Sequence, residues 1–302
     1  MPRDRSFFVI FNPAAGHGRA RRIFARYESM LHERLKDFDH AMTAGPGGEA
    51  ELADRAIAEG YRAIIAVGGD GTWGAVADRI VRSGRKDVTL GLLPAGTGND
   101  FGKSLGVRAE RAESVVQGIA EGRRRVIDVG RAGTRYFLNV VGFGFDIAVI
   151  DDATSFPLLR GDLLYRFCAL RQLFKFRGLS IAVSDGASAE ARDRHLMLTI
   201  SNGNYFGGSF HIAPKAALDD GRLDAVSIFD AGPFARAGLF SKVAKGTHQD
   251  DTRVRVRQAA RFTVRFDAPV RYEIDGEVCA LEGTTLNIEA IPRALSVFVP
   301  AD

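Results

Sequence analysis

At 302 residues the chain exceeds the usual size of one domain, so two domains with separate cores are expected. Its content of 46% apolar and 26% charged residues is that of an ordinary globular protein and excludes a disordered chain. The net charge is only +4, from 41 basic against 37 acidic residues, too mild to argue for a nucleic-acid partner, and none is expected.

The segment Met1-Pro-Arg-Asp-Arg has no signal-peptide pattern and leads directly into a strand, Phe7 to Phe11. Asn12 to Gly18 is a glycine-bearing loop, and from Arg19 the apolar spacing of Ile23, Phe24, Tyr27, Met30 and Leu31 fits a helix. A second loop, Thr43 to Gly48, precedes a helix over Glu49 to Glu59. The apolar run Ala63 to Val67 then ends abruptly in Gly68-Gly69-Asp70-Gly71-Thr72, with a helix from Trp73 to Val81 behind it. Glycines at 68, 69 and 71 let backbone N–H groups approach a bound group, and the helix turns its positive end toward the same place. Asp70 would repel a phosphate there unless a divalent cation sits between them. The two readings are a metal–nucleotide site and an ordinary strand-to-helix turn with an exposed acid. A strand from Val88 to Leu93 ends in Pro94-Ala-Gly-Thr-Gly-Asn-Asp-Phe101, where Asn99 and Asp100 read as caps of a helix. Strands alternating with helices over about the first 120 residues indicate a parallel α/β sheet. Ligands gather at the carboxyl ends of such strands, so the loops beginning at Asn12, Gly68 and Pro94 are expected to face one crevice.

The rhythm changes near Arg123. Val126–Val129, Tyr136–Val141, Leu179–Val183, Leu196–Ser201, Arg222–Ile228, Thr252–Arg257, Arg261–Phe266, Val270–Ile274 and Thr285–Ala290 read as strands without intervening helices, the pattern of a mainly antiparallel β-sandwich. The exception is Pro157–Phe176, an amphipathic helix with basic residues at 160, 166, 171, 175 and 177 that serves either the core or a membrane surface. The expected division is an α/β domain over residues 1–125 and a β-rich domain over 126–290, with the closing strand within 291–302 free to return to the first. Arginine clusters at 19–22, 123–125 and 253–257 read as solvated faces or as contacts with phosphates or an anionic membrane. Cys168 and Cys279 read as reduced core residues. No stretch approaches the roughly 20 apolar residues that span a bilayer, so a cytosolic protein that visits a membrane surface is expected.

Taken in order, Asn12-Pro-Ala-Ala-Gly16, Gly68-Gly-Asp-Gly-Thr72, Pro94 to Phe101, Asn204-Tyr-Phe-Gly-Gly208, Pro214 to Asp224 and Asp275-Gly-Glu277 resemble the diacylglycerol kinase catalytic superfamily. The resemblance is greatest to soluble bacterial lipid kinases, with sphingosine and ceramide kinases as relatives, and runs from Phe7 to about Val299. It implies an NAD-kinase-like α/β domain that binds ATP through Asn12, Gly16, Thr43, Gly68, Gly69, Asp70, Gly71, Thr72, Gly74 and Thr97. It implies a Mg²⁺ ion held by the Asp220 carboxylate and the Ala217 and Arg222 carbonyls, with Asp70 and Asp128 joining through water. Glu277 is then the general base on a lipid hydroxyl at a membrane surface, with Asp70 as the rival base, and a homodimer is left open.

The sequence departs from the family pattern at two places. Hydrophobic-Asn-Glu usually follows the Gly-Gly-Asp-Gly-Thr turn, whereas here it is Trp73-Gly74-Ala75, and position 17, often a lysine or another polar residue, is His17. Trp73 is expected to pack within the fold and not to stack on adenine. The leading reading is an ATP-dependent lipid kinase. The alternatives are an NAD kinase, which shares the glycine turn, and a catalytically weak lipid-binding or regulatory protein.

Overall fold

The computed structural model describes residues 6–301 apart from 17, 36, 154, 156–161, 188–190 and 209. The expectation placed on His17 and the first part of the predicted helix, 157–161, lie outside the described residues.

Strands and helices alternate in the first part: β1 (Phe7–Phe11), α1 (Arg19–Leu35), β2 (Asp39–Met42), α2 (Gly48–Ala58), β3 (Ala63–Gly68), α3 (Asp70–Ser83), β4 (Thr89–Pro94), α4 (Asp100–Ser104) and α5 (Ala112–Ala120). All four strands are parallel, in the order β4-β3-β1-β2. β3 and β4 are buried along their whole length, which is why they read as continuous apolar runs. β2 went unpredicted because an edge strand of sequence Asp-His-Ala-Met carries no apolar run.

The second part comprises β5 (Arg124–Ala132), β6 (Arg135–Phe137), β7 (Val140–Gly144), α6 (Phe145–Ala153), α7 (Asp162–Lys175), β8 (Leu179–Ser184), β9 (Ala191–Ser201), β10 (Leu223–Phe229), α8 (Pro233–Lys245), β11 (Val254–Ala259), β12 (Arg261–Phe266), β13 (Arg271–Ile274), β14 (Glu277–Ala280) and β15 (Thr285–Phe298). Its strands pair antiparallel, in the sandwich arrangement expected. The run Tyr136–Val141, expected as one strand, is parted into β6 and β7 at Leu138 and Asn139, whose N–H groups turn to the Asp275 carboxylate. Helices α6 and α8 were not expected.

β15 joins the two parts. It pairs antiparallel with β12 and β5, then reaches β4 in parallel through Ser296 and Val297. The run 285–290 and the closing strand expected within 291–302 belong to this one strand, which ends at Phe298, with a register shift between Ile291 and Leu295 and Arg293 left-handed at φ 51. The chain then returns to α5, where the Ala301 N–H donates to the Ser114 carbonyl at 2.9 Å.

One core lies between the parallel sheet and its helices, a second inside the sandwich, and a third between the sheet and α6, α7 and α8. Cys168 is buried in the third, but Cys279 is only partly buried, on β14. α6 docks on β13 through two acids. Asp146 in its first turn lies against Glu273 opposite Gly142, the residue whose missing side chain leaves them room. Burial pushes both carboxyls up, with the charge of its neighbour adding to the rise of Glu273, so the pair holds a proton where free carboxylates would have lost it.

Glycine fit yields one test. A Cβ on Gly130 would lie 2.0 Å from the buried Phe137 ring, whereas one on Gly238 in α8 meets nothing within 4 Å. Gly130→Ala is expected to cost about 1–3 kcal/mol in urea unfolding, and Gly238→Ala to add about 0.4–1 kcal/mol. The acid pair gives a second. A carboxyl raised on folding contributes stability below its unfolded value, and that stability is lost as pH rises through the folded value. Glu273→Gln removes the loss, so its thermal midpoint relative to wild type should climb between pH 4.5 and pH 8; a difference that stays flat with pH would contradict the shared proton.

Candidate active site

Backbone contact draws the three predicted loops together. Gly69 and Gly96 touch through their main chains, since a Cβ on Gly96 would lie 2.6 Å from the Gly69 Cα. A Cβ on Gly16, which is left-handed at φ 59, would lie 2.4 Å from the Ala95 carbonyl oxygen. Only glycine lets chains approach this closely. Ala95 and Gly96 donate their N–H groups to the Gly68 carbonyl at 2.7 and 3.1 Å. Gly68 also leaves space for Thr72, whose side chain folds back within 2.5 Å of where a Cβ would sit. Asn12 donates to Thr72 Oγ1 at 3.0 Å and to Glu49 Oε1 at 2.7 Å, and its own Oδ1 accepts the Ala14 N–H. Glu49, on the first turn of α2, is a member of the site that the sequence did not suggest. Thr43 is buried beside Gly48, and Thr97 is exposed at the loop tip. α3 begins at Gly69-Asp70 with no side-chain cap, leaving its first N–H groups free to meet an anion. Trp73 is fully buried and donates its indole N–H to the Ala66 carbonyl, as a packing residue does.

Asp70 caps a different helix. Its two oxygens accept the Asp100 and Phe101 N–H groups at the start of α4, both at 3.0 Å. The capping expected of Asn99 and Asp100 is therefore supplied from the neighbouring loop, while Asn99 is left-handed and pairs with Gly96. Burial pushes the Asp70 carboxyl up, against the pull of these two N–H groups. Asp100 in turn accepts the Gly208 N–H at 2.7 Å and pairs with Lys103, which donates to the Gly208 carbonyl. Ser104 Oγ accepts the Asn204 N–H at 2.9 Å, and Asn204 donates to the Ala213 and Ala216 carbonyls. The segment Asn204–Gly208 is thus a clasp between the two parts.

Opposite α3, Asp275 and Gly276 form a two-residue hairpin turn between β13 and β14, both left-handed at φ 48 and 90. The buried Asp275 carboxylate accepts the N–H groups of Leu138, Asn139 and Val140 at 2.6, 2.9 and 3.0 Å. Burial nevertheless pushes it up to about 6, and the Asp70 charge adds to the rise. Its Oδ2 lies 3.4 Å from where a Cβ on Gly74 would be, so the turn sits directly on α3. Glu277 follows at the start of β14, exposed and paired with Arg135 at 2.5 Å, and Arg135 also reaches Cys279 Sγ. Between the turn and α3 runs a cleft of about 240 Å³ lined by Gly71, Gly74, Ala75, Arg79, Arg82, Arg135, Tyr136, Asp275 and Glu277. Asp275 and Arg135 are site residues that sequence reasoning missed; the Asp-Gly turn signal points to the first, and nothing local points to the second.

The acids of the second part stand apart from Asp70. Asp128 is fully buried, and its oxygens accept the Gly221 and Arg293 N–H groups at 2.6 and 2.7 Å. It fastens the loop 217–222 to the β15 bulge. Asp220 is exposed and accepts the Arg222 N–H at 2.9 Å and the Gln258 amide at 2.9 Å. Burial, with the Asp220 charge adding, pushes neighbouring Asp224 up to about 6. An oxygen-only loop with two crowded carboxylates has the chemistry that Mg²⁺ prefers. Among the described residues no contact links Asp70 to Asp128 or Asp220, and no group of three or more His, Cys, Asp or Glu side chains forms a metal cage.

Residues 6–132 match the diacylglycerol kinase catalytic domain, and residues 139–299 match the YegS C-terminal NAD kinase beta sandwich-like domain. A probable lipid kinase YegS-like protein of Pseudomonas fluorescens is 33% identical over 264 residues, covering 86% of this chain and 83% of the relative. The diacylglycerol kinase of Bacillus subtilis is 27% identical over 97% of this chain and 96% of its own. In fold, the chain superposes on the crystal structure of a diacylglycerol kinase from Bacillus anthracis with a TM-score of 0.76 at 20% identity, covering 99% of this chain and 98% of that one. With both halves of the site carried by both halves of the match, the chain belongs to the diacylglycerol kinase family of lipid kinases.

Proposed function

We propose that the protein transfers the γ-phosphate of Mg²⁺-ATP to the hydroxyl of a diacylglycerol-like lipid, with residues 1–125 holding the nucleotide and 126–290 the acceptor. The observation that carries this reading is the Asp275-Gly276 turn, which sets Glu277 across a narrow cleft from the uncapped start of α3. Asn12, Gly16, Thr43, Gly68, Gly69, Gly71, Thr72 and Thr97 cradle the nucleotide: glycines admit the phosphates to the backbone, the Thr43 and Thr97 hydroxyls donate to them, and Asn12 with Thr72 braces the loop from behind. Arg79, Arg82 and Arg135 line the same cleft, paired with Asp54, Asp78 and Glu277, and offset the charge of the transferred group by exchanging these partners for it.

Glu277 takes the proton from the acceptor hydroxyl as its oxygen attacks the γ-phosphorus, and the bond from that phosphorus to the β,γ-bridging oxygen breaks to release ADP. Asp70 is the weaker rival because both of its oxygens already accept N–H groups of α4. It shapes the nucleotide loop from beneath. Asp275 holds the turn that aims Glu277, and Gly74 gives that turn its seat. The Asp220 carboxylate, with the Ala217 and Arg222 carbonyls, would hold Mg²⁺, and Asp128 anchors the loop through Gly221. Bound there, the ion supplies positive charge that neutralises the acid cluster.

Purified protein with Mg²⁺-ATP should phosphorylate at least one acceptor among diacylglycerol, monoacylglycerol, phosphatidylglycerol and sphingoid bases, and should leave NAD unchanged. Glu277→Gln is expected to lower kcat about 10²–10⁴-fold with the KM for ATP little altered. Turnover that survives this change but not Asp70→Asn would exchange the two roles. Mg²⁺ at a hundredfold excess over its Kd should stabilise the wild-type fold by about 2.7 kcal/mol, read as a rise in thermal midpoint. Asp220→Asn should show no such rise.

A further inference from the structure

The strand that bears Glu277 has little of its own to hold it. Among the described residues β14 is the terminal strand of the sheet and bonds only to β13. β13 meets the rest of the sheet at two register positions, Glu273 opposite Gly142 and Ile274 opposite Val141 on β7. The Asp275 N–H adds one bond to the Val140 carbonyl at 3.1 Å. A short hairpin fastened so sparingly tilts with whatever packs on its faces. Tyr272 and Ile274 point into the second core, so apolar packing fixes that face. Arg271, Glu273 and Asp275 alternate with them and point the other way, toward α6 and α3.

On that face α6 supplies two contacts. Arg271 pairs with Asp151, but both side chains are half exposed, and exposed pairs contribute little. Asp146 lies against Glu273 with its carboxyl oxygens shut off from solvent, and its Oδ2 is 3.0 Å from where a Cβ on Gly142 would be. The charges acting on Glu273 are those of Asp146 from α6 and Asp275 from its own turn. Arg271 is taken up by Asp151, while β7 places Gly142 opposite Glu273 and β14 places Val278 there, neither of them charged. Two carboxyls with no cation between them attract only while a proton lies in the contact; once both ionise they repel. The cleft is lined by Ile274, Asp275 and Glu277 of this hairpin and not by Glu273, so Glu273 acts on it only from behind.

We propose that Glu273 is a positioning residue for Glu277: its contact with Asp146 seats the β13–β14 hairpin on α6 and so sets how far Glu277 reaches across the cleft toward α3. The proposal rests on the reading of Glu277 as the base that takes the acceptor proton. A base displaced by about 1 Å loses up to about 10²-fold in rate, so a contact remote from the chemistry is enough to govern turnover.

A double-mutant cycle isolates this role, measured on an acceptor that wild type phosphorylates. Glu273→Leu keeps a similar volume and removes the carboxyl. In the wild-type background it should lower kcat about 10- to 100-fold with the KM for ATP unchanged. In the Glu277→Gln background it should lower the remaining kcat by less than about twofold, because the group it positions is already gone. Equal losses in the two backgrounds overturn the proposal and leave Glu273 a stabilising residue alone. The pH profile is a second reading that needs no apolar substitution. Burial holds the wild-type proton in place, but it is lost as pH rises and the acids then repel, whereas Glu273→Gln donates its amide to Asp146 at every pH. The ratio of Glu273→Gln kcat to wild-type kcat should therefore rise about tenfold between pH 6 and pH 9. A ratio that stays flat across this range also overturns the proposal. Full turnover in Glu277→Gln, or no turnover in wild type on any acceptor, contradicts the reading of the site instead.

Discussion

A buried carboxylate on one segment accepting backbone N–H groups of another is the interaction on which this molecule depends. Asp275 does this for the bend between β6 and β7, Asp70 for the start of α4, Asp128 for the loop at Gly221 and the bulge at Arg293, and Asp100 for Gly208. Each donor lies where regular structure stops and leaves an N–H without a partner, and an unsatisfied buried donor costs about 1–3 kcal/mol. Charged acceptors make stronger bonds than neutral ones, so few residues can hold many loop ends. The loops around the cleft owe their positions to these acids.

The acids near the cleft therefore divide into two kinds. Asp70, Asp128 and Asp275 have their oxygens occupied by backbone donors, Asp128 and Asp275 buried and Asp70 half-buried; Glu277 is exposed to the cleft and bonded to an arginine side chain. Only the second arrangement leaves a carboxylate able to exchange its partner for a substrate hydroxyl. The unusual Gly74 takes its meaning from the same geometry. The asparagine common in the family at this position would have to share space with Asp275, which sits in contact distance of the missing Cβ.

α7 shows how a helix can satisfy two readings at once. Its predicted stripe was assigned either to the core or to a membrane surface, and it is apolar on both sides. Cys168 faces the third core, while Leu170 and Phe174 face outward. Fold stability alone explains the inner set and gives no reason for the outer one.

Much of the fold was legible because buried parallel strands and glycine-rich strand ends leave strong local signals, as Ala63–Thr72 does. The Asp-Gly pair at Asp275-Gly276 is a local hairpin signal of the same kind, although it does not say which backbone groups Asp275 will hold. α8 carried its own signals, Pro233 at the start and Gly246 at the end, but the surrounding strand pattern masked them. β2 and the continuity of β15 were illegible, since the first lacks an apolar run and the second contains Pro292 and a left-handed Arg293. The sequence by itself determined the class of fold and the three glycine-rich loops at the ends of parallel strands, because each depends on residues adjacent in the chain. Tertiary structure alone decided what Asp70, Asp128 and Asp275 do, and that Arg135 faces Glu277. Their partners lie about 30 to 165 positions away, and no local pattern records which backbone group a carboxylate will meet once the chain has closed.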